Sequence, residues 1–359
     1  MKVAYLLRYY PTLTETFVYG EAAGLAARGV EVRLLSLGDR PDGALADGLP
    51  RLPHQRLRRR PWGRWIREDS AGERFVAAHS RDKDADRLGA LKAAASGVDR
   101  LHVHFAGEAA ELAYGLFLDE GTPYSVMVHA VDLFKPRPSA RAVLQAADLV
   151  FAVSDHTAAL TARLADRPVL RLRCGPDLGR FRPSPPPPGP LRALFVGRDV
   201  PKKGLDTLLA AWPQVGSSAT LSVVSDRQGP APAGVRLLGL APPSALPALI
   251  AQHHLLVLPC RRAPDGDQDG VPLVLMEALA TGRPALSTPV SGIPELLGPE
   301  VGWLAPPDDP SALAGLLAAL TVEDCAARGA AGPAWLRRQG FTLDAQVSGL
   351  LSAWEAQGR

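Results

Sequence analysis

Cysteine is scarce in this sequence, and its scarcity excludes two common uses of the residue. The chain has only Cys174, Cys260 and Cys325. Three widely separated cysteines do not make a disulfide framework, and they lack the paired spacing of a zinc site. The sequence therefore predicts a protein made in a reducing compartment, the cytoplasm.

Strong net charge and long apolar runs are also missing. The formal net charge is only +3, so the overall electrostatics do not call for a nucleic-acid partner, and none is predicted. The apolar run at 1–7 soon meets Arg8 and Pro11, which makes it too short for a secretion signal and typical of a first buried strand. No apolar run in the sequence is long enough to cross a bilayer.

The sequence does contain a repeated alternation of short apolar runs with amphipathic stretches. This pattern is typical of a parallel sheet covered by helices. In the first half, strands are predicted at 3–7, 31–36, 100–104, 125–129, 149–153 and 169–172. Helices are predicted at 15–28, 107–119 and 140–147, the last with Ser139 as its cap. The segment from Asp39 to Ser96 is the least regular.

The alternation stops at 183–190, where six of eight residues are proline. Because proline lacks the amide donor and blocks the preceding turn, this segment is neither helix nor inner strand, and a stiff, extended linker is predicted. The alternation then restarts, with strands predicted at 192–196, 220–224, 255–259 and 284–287. The predicted helices of this half are 204–212, 271–280, 312–320 and 343–357.

The length of the chain suits two domains of comparable size. We predict an α/β fold with two Rossmann-like domains facing a cleft, over 1–182 and 191–340, joined by the linker at 183–190. The terminal helix, within 341–359, is expected to pack back on the N-terminal domain. Ligands of such folds bind beyond the carboxyl ends of the strands.

A basic loop follows the first strand of the second half. Arg198 and Lys203 lie between the strand predicted at 192–196 and the helix predicted from 204. Two cations beside a helix N-terminus suit a diphosphate, and two solvated surface cations are the alternative. No G-x-G-x-x-G follows a strand and no Walker lysine motif is present, which argues against a nicotinamide cofactor and a P-loop kinase.

An acidic segment at 265–269 precedes the helix predicted at 271–280, and Glu277 lies about two turns into that helix. Asp269 or Gly270 is the expected helix cap. Asp269 and Glu277 would bind different hydroxyls of one extended ligand. The segment imitates an EF-hand calcium loop, but the twelfth position is Met276 rather than an acid. Calcium and a solvated acidic loop remain the alternatives, and we predict no metal.

Histidines mark the ends of two predicted strands in the first half. His102 and His104 are two residues apart and so share one side of a strand. That spacing suits two ligands of one metal, but no third ligand stands near them in the sequence, so no metal is predicted. His129 ends the next strand, and Asp132 follows it shortly. A structural, hydrogen-bonded role is the alternative for each, but the pair of His104 and His129 indicates function for at least one.

The stretch 51–67 concentrates arginine and tryptophan. Its members include Arg56, Arg58, Arg59, Arg60, Trp62, Arg64, Trp65 and Arg67. Arginine with tryptophan suits anionic lipid headgroups, and a solvated charge run is the alternative. The first interpretation predicts peripheral contact with an anionic membrane at its inner face, where a lipid-linked acceptor would be found.

Together these motifs resemble glycosyltransferase family 4, which has the GT-B architecture, over nearly the whole length. Residues 196–206 resemble the family's phosphate-binding Arg and Lys segment. Residues 269–284 resemble its E-x7-E signature, with Asp269 in place of the first Glu, and 291–295 match the segment that follows. Residues 11–17 resemble the P-x-[LS]-[ST]-E-T-F segment of the exopolysaccharide-type branch. Further matches lie at 104–107, 129–132 and 174–183.

The resemblance implies a retaining, metal-independent hexosyltransferase of polysaccharide biosynthesis. It would move a sugar from a nucleotide-sugar to a glycan, lipid-linked or small-molecule acceptor, with the nucleotide-sugar as substrate and no cofactor. The N-terminal domain would bind the acceptor and the C-terminal domain the donor.

The resemblance also implies a set of site residues. The implied catalytic residues are His129, Arg198, Lys203, Asp269 and Glu277. The implied donor-binding residues are Gly197, Arg198, Lys203, Asp269, Gly270, Val271, Pro272, Leu273 and Glu277. The implied acceptor-side residues are Thr14, Glu15, His104 and Asp132. Arg198 and Lys203 would offset the charge growing on the departing diphosphate, as a metal does elsewhere. Glu277 would accept from the ribose, Asp269 would hold the sugar, and His129 would orient it.

Two other functions fit the same motifs. One is a nucleotide-sugar-binding GT-B protein without turnover, and the other is a different GT-B enzyme, such as a nucleotide-sugar epimerase. The intact set of Arg198, Lys203 and Glu277 argues against a loss of turnover, whereas the change to Asp269 is in its favour.

Overall fold

The structure, a computed structural model, describes residues 1–12, 15–39, 52–58, 70–79, 85–216 and 219–358. The chain divides into two compact units, Met1–Leu172 (unit 1) and Arg173–Arg359 (unit 2). Each unit is built on its own parallel sheet, as the alternation of apolar and amphipathic segments predicts. The boundary falls before the proline-rich stretch, so residues 183–190 belong to unit 2.

Unit 1 contains a parallel sheet whose described strands have the order β3-β2-β1-β4-β5-β6-β7. The strands are β1 Lys2–Tyr9, β2 Glu31–Gly38, β3 His54–Arg56, β4 Arg100–His104, β5 Tyr124–Val128, β6 Leu149–Ala152 and β7 Leu170–Arg171. The helices are α1 Thr16–Ala26, α2 Ala71–His79, α3 Ala85–Ala94, α4 Glu108–Glu120, α5 Ala130–Phe134, α6 Ala140–Ala146 and α7 Asp155–Ala165. Every strand predicted in this half is present.

The two faces of the central strands differ in chemistry. Alternate side chains of β1, β4 and β5, among them Leu6 and Val103, belong to one apolar core with α4. The intervening side chains form a polar row, because Tyr5 lies beside His102 across β1–β4 and His102 lies beside Ser125 across β4–β5. Since strand side chains alternate with a period of two, His104 shares the face of His102.

The irregular segment of unit 1 has more structure than the sequence pattern suggests. Its described parts include β3, α2 and α3. α2 packs on α4, where a Cβ at Gly72 would lie 2.2 Å from the Gly115 carbonyl oxygen. Ser139 was predicted to cap α6, but its side chain makes no capping hydrogen bond. Its hydroxyl bonds the buried Glu111 carboxylate instead.

Unit 2 contains a second parallel sheet, whose described strands have the order β10-β9-β8-β11-β12-β13. The strands are β8 Leu191–Val196, β9 Ala219–Val224, β10 Val235–Gly239, β11 Leu255–Val257, β12 Ala285–Ser287 and β13 Gly302–Leu304. The helices are α8 Leu205–Ala211, α9 Leu246–Ala251, α10 Leu273–Ala280, α11 Ile293–Leu296, α12 Pro310–Ala319, α13 Val322–Gln339 and α14 Leu343–Gln357.

The proline-rich stretch is bound along unit 2. The buried guanidinium of Arg283 donates to the carbonyl oxygens of Ser184 and Pro185, both at 2.8 Å. A ring nitrogen of His254 lies 2.7 Å from the Pro187 carbonyl oxygen. Proline leaves its own carbonyl free to accept, so these side chains satisfy a backbone that cannot join a sheet.

The helix α13 was not predicted; its sequence contains Gly329, Gly332 and an internal Pro333. Its glycines allow close packing on α10. A Cβ at Gly329 would lie 2.2 Å from the Gly282 carbonyl oxygen, and one at Gly332 would lie 2.4 Å from that of Leu279. Tertiary packing therefore outweighs the low helix propensity of this segment.

The terminal helix α14 belongs to unit 2, where Leu343 donates its amide hydrogen to the Pro176 carbonyl oxygen at 3.1 Å. Within the described segments, no single helix is both long and apolar enough to cross a membrane. Residues 310–319 and 322–357 meet the length and composition criteria only when taken together, and they are bent by 95°.

Candidate active site

The basic loop of unit 2 follows β8, as predicted. The chain passes through Gly197 and the exposed Arg198 to a 3-10 turn at Pro201–Lys203. Gly204 ends the turn with a φ of 66°, and a Cβ there would lie 1.9 Å from the Pro259 carbonyl oxygen. Both the backbone conformation and this close approach require glycine. The turn therefore lies directly against the segment that follows β11.

This approach joins the basic loop to the acidic one. The ammonium nitrogen of Lys203 lies 2.8 Å from Oδ2 of Asp269, and that of Lys202 lies 3.2 Å from Oδ1 of Asp267. Burial disfavours both charges of the first pair. The attraction between Lys203 and Asp269 outweighs this cost of burial, so the pKa of Asp269 is lowered and the pKa of Lys203 is raised. Two of the three acids of this loop, Asp267 and Asp269, are thus held by lysines, which disfavours the calcium alternative.

Glu277 lies in α10 with 7% of its surface exposed. The helix begins at Leu273, after Pro272, so the prediction that Asp269 or Gly270 caps it is wrong. Burial raises the pKa of Glu277 to about 7, although the Arg180 guanidinium opposes the shift. Within the described residues, nothing hydrogen-bonds this carboxyl group. A buried carboxyl group without a protein partner suits a ligand that presents hydroxyls.

The buried carboxyl group of Glu277 predicts a pH-dependent stability difference between the parent protein and Glu277→Gln. As the pH rises from 4.5 towards 7, the unfolded chain loses this proton while the folded chain retains it. The free energy of unfolding of the parent therefore falls through this range. The fall due to this group is on the order of 3 kcal/mol, and Glu277→Gln lacks it.

Urea unfolding of the ligand-free proteins at about pH 4.5 and about pH 8.5 measures this difference. The variant should gain stability relative to the parent at the higher pH. Glu300→Gln, at an exposed position of the same unit, is the control and should show no such gain. A parent–variant difference that does not change with pH would contradict the assigned environment of Glu277.

In unit 1, the polar row of the sheet meets Glu21 of α1. Glu21 is fully buried, and its Oε1 lies 2.6 Å from the Tyr5 hydroxyl and 3.0 Å from Nε2 of His104. Nε2 of His102 lies 3.4 Å from the same oxygen. Burial acts to raise the pKa of Glu21, but its histidine neighbours hold that pKa well below its usual value.

Glu21 also corrects the prediction that His102 and His104 have no third partner of a metal-ligand type. The ligand atoms of these three side chains all lie within 4.8 Å of one another. Glu21 is 83 positions from His104 in sequence, so spacing alone gives no sign of it. One signal was available: Glu21 lies four residues after Phe17 and four before Leu25, on the apolar face of α1.

His129 is held beside this cluster. Its Nε2 lies 3.0 Å from Nδ1 of His104, and the two rings are stacked with centroids 5.3 Å apart. The rings of Phe17 and Phe105 lie 4.9 and 4.5 Å away. Phe105 has a φ of 73°, a rare conformation for a bulky residue. Burial and the neighbouring His104 hold the pKa of His129 well below its ordinary value, which favours a neutral ring.

The structure describes two of the three remaining acceptor-side residues, Asp132 and Glu15. Asp132 is buried, and its Oδ2 accepts from the His129 amide at 2.9 Å. Burial raises its pKa to about 7. Glu15 precedes α1 and makes no capping hydrogen bond. Thr14 lies outside the described residues, as do residue 51 and residues 59–67 of the basic stretch.

Comparison with known proteins finds a glycosyltransferase family model in each half of the chain. A family model described as Glycosyltransferase Family 4 matches residues 14–180, and one described as Glycosyl transferases group 1 matches residues 190–322. WcaL of Escherichia coli, named for colanic acid biosynthesis, is 27% identical over 90% of this chain and 91% of its own. The amylovoran biosynthesis glycosyltransferase AmsK of Erwinia amylovora is 35% identical over 37% of this chain and 36% of its own.

The fold comparison covers both units. Anabaena HepE, solved in complex with UDP-glucose, superposes with a TM-score of 0.76 at 16% identity, over 98% of this chain and all of its own. The two parallel α/β sheets are therefore those of the GT-B architecture. From the matching family models, the full-length relative and this fold, the chain is a nucleotide-sugar-dependent glycosyltransferase of the family 4 type.

Proposed function

We propose that this glycosyltransferase retains the configuration of the transferred hexose and needs no metal ion. The observation that carries the proposal is the contact of Lys203 with Asp269 at 2.8 Å. This contact joins the basic loop, which the family uses to bind phosphate, to the acidic loop, which the family uses to bind the sugar. A single donor molecule can therefore be held by both loops.

The proposed role of Lys203 and Arg198 is to bind the diphosphate of the donor. Lys203 keeps its charge despite burial, because Asp269 raises its pKa. A fixed ammonium in a largely desolvated site stabilises the negative charge that develops on a leaving phosphate. A divalent cation performs this task in other enzymes. Arg198 is exposed on the same loop and would contact the same group.

The proposed role of Glu277 is to accept from the ribose hydroxyls of the donor. Glu277 is buried, and its carboxyl group has no hydrogen-bond partner within the described parts of the chain. Asp269 would accept from the hexose with the oxygen that Lys203 leaves available, while the main-chain amides of Gly270, Val271 and Leu273 hold the rest of the sugar. Asp269 also positions Lys203, so its proposed function has two parts.

The proposed reaction breaks the bond between the anomeric carbon and the diphosphate oxygen. The acceptor hydroxyl forms its bond to the same face of that carbon, and its proton passes to the departing phosphate. His129 would orient the sugar. In this proposal His104 acts through His129 rather than on the acceptor, because both of its ring nitrogens already bond Glu21 and His129.

The proposed acceptor is a glycan, a lipid-linked molecule or a small molecule. WcaL and AmsK, named for colanic acid and amylovoran biosynthesis, support this class. We include peripheral contact with an anionic membrane through residues 51–67 in the proposal. It rests on their arginine and tryptophan content, and added salt should weaken such an attraction.

Product analysis tests the proposal. A thermal-shift screen of nucleotide-sugars, starting with UDP-glucose and GDP-mannose, identifies the donor by its stabilisation of the full chain. Transfer is then measured with an excess of EDTA, and the anomeric configuration of the product is determined by NMR. We expect transfer to continue under EDTA and the donor configuration to be kept. An inverted product, or activity lost on chelation and restored by Mg²⁺ or Mn²⁺, would overturn the proposal.

A further inference from the structure

A continuous chain of hydrogen bonds runs through the interior of unit 1 from Tyr5 to His129. The Tyr5 hydroxyl bonds Oε1 of Glu21 at 2.6 Å, and Nε2 of His104 bonds the same oxygen at 3.0 Å. Nδ1 of His104 then bonds Nε2 of His129 at 3.0 Å. Tyr5, Glu21 and His104 are almost completely buried, so water does not supply alternative partners along most of the chain.

The direction of each bond follows from counting hydrogens. An ionised carboxylate has none, so Glu21 accepts from both Tyr5 and His104. His104 must therefore carry its hydrogen on Nε2, and in a neutral ring Nδ1 is then an acceptor. His129 must fill that acceptor with its own Nε2 hydrogen. The remaining nitrogen of His129, Nδ1, is left with a lone pair and no hydrogen.

We propose that Glu21 is a positioning residue that fixes His129 in the tautomer with a hydrogen-bond acceptor at Nδ1. The inference rests on the proposed function, in which His129 meets the transferred sugar. An acceptor at this atom receives a hydrogen bond from a sugar hydroxyl and offers nothing to a group that only accepts, such as a carboxylate.

The electrostatics of the cluster agree with this assignment. The histidine neighbours hold the pKa of Glu21 well below its usual value, so it is ionised, and the pKa values of His102 and His129 are lowered by burial. The ionised Glu21 carboxylate is therefore bonded by the hydroxyl of Tyr5 and by Nε2 of His104. The stacking of His104 on His129, and the contacts of His129 with Phe17 and Phe105, fix the ring planes.

A divalent metal on Glu21, His102 and His104 is the rival interpretation, since their ligand atoms cluster within 4.8 Å. It makes the opposite prediction for the tautomers. A metal takes the Nε2 lone pair of His104, which moves the ring hydrogen to Nδ1 and reverses the bond to His129. His129 would then present a donor at Nδ1. The hydrogen positions on two rings therefore separate the two interpretations.

The experiment is ¹⁵N NMR of the full chain labelled at histidine, without ligands, combined with metal analysis and kinetics. In the parent, we expect His104 and His129 to carry hydrogen on Nε2 only, and no stoichiometric metal. Glu21→Gln can donate from its amide and so should allow the reversed tautomers. We expect kcat with the identified donor to fall by about 10- to 100-fold in this variant, as when an orienting partner of a functional histidine is lost.

Glu111→Gln is the matched control, since Glu111 is an equally buried acid of the same unit. Its partners are Arg137 and Ser139, outside the hydrogen-bond chain. It should leave the tautomers of His104 and His129 unchanged. It should also keep kcat within about twofold of the parent, because the substitution lies outside the hydrogen-bond chain. A general effect of losing a buried charge would lower kcat in both variants.

Three results would overturn the inference: a hydrogen on Nδ1 of His129 in the parent, one equivalent of bound metal, or parent-like kcat in a folded Glu21→Gln. The NMR result needs no substrate and no variant. If no nucleotide-sugar supports transfer while both rings carry hydrogen on Nε2, the proposed function fails and the assigned tautomers stand. If transfer is found and the tautomers are reversed, only the role of Glu21 fails.

Discussion

Replacing Lys203 with alanine is expected to lower kcat by about 10²- to 10³-fold, the usual cost of removing one donor to developing charge. The reason is its position. The ammonium is mostly buried, and it is held at 2.8 Å from Asp269 by a turn that Gly204 presses against Pro259. Water that fills the space left by Lys203→Ala must reorganise as the diphosphate departs, whereas the fixed ammonium does not.

The adjacent lysine provides the control for this experiment. Lys202 also lies in the 3-10 turn and pairs with the same acidic loop, but its main partner is Asp267. Lys202 also lies 3.6 Å from Oδ1 of Asp269, farther than the 2.8 Å contact of Lys203. Lys202→Ala should therefore keep kcat within a few-fold of the parent. Thermal unfolding of both variants separates loss of fold from loss of rate. Near-normal turnover in Lys203→Ala would show that another group neutralises the leaving diphosphate.

The edge strands β3, β10 and β13 are wholly or partly exposed and were not predicted. The central strands of both sheets were predictable from sequence because they are buried on both faces. Such strands are short apolar runs, and the intervening helices have a clear period. β1, β4 and β8 lie within a residue or two of their predicted bounds. The donor loops were predictable for a similar reason, since Lys203 and Asp269 lie in the segments after β8 and β11, which are neighbours in the second sheet.

The elements that sequence missed depend on partners distant in the chain. α13 forms in spite of its glycines and Pro333, because the glycines let its backbone approach α10. Glu21 is an acid on the apolar face of a helix, and the side chains that it contacts depend on which face of the sheet that helix covers. The register that sets Tyr5 beside His102 and His102 beside Ser125 supplies that information, and no local pattern encodes it.

The proline-rich stretch shows how a correct local prediction can miss a role in packing. The composition of 183–190 rightly excludes helix and inner strand. However, it says nothing of Arg283, about a hundred residues later, which bonds the carbonyl oxygens of Ser184 and Pro185. The extended conformation leaves these carbonyls without partners, and a buried arginine supplies the donors. The segment is thus part of the structure of unit 2.

Replacing Arg283 with methionine is therefore expected to give a large loss of stability. Arg283 is 2% exposed, and its guanidinium also donates to the carbonyl oxygens of His253 at 2.7 Å and Ala251 at 2.8 Å. Methionine keeps much of the volume but leaves several buried acceptors without donors, and each such loss costs about 1–3 kcal/mol. Partial relaxation and water entry reduce the sum, so we expect a total near 4 kcal/mol, or a Tm lower by about 10 °C.

Two further variants show whether the lost donors cause this effect. Arg283→Lys keeps the charge but has a smaller, non-planar donor group, so it should recover only part of the loss. Arg236→Met makes the same change at an exposed position of β10 and should cost less than about 0.5 kcal/mol. Proteolysis near 183–190 should also become faster in Arg283→Met than in Arg236→Met, since the segment loses the group that binds it. Equal stability of these two methionine variants would show that the proline-rich stretch is held by other contacts.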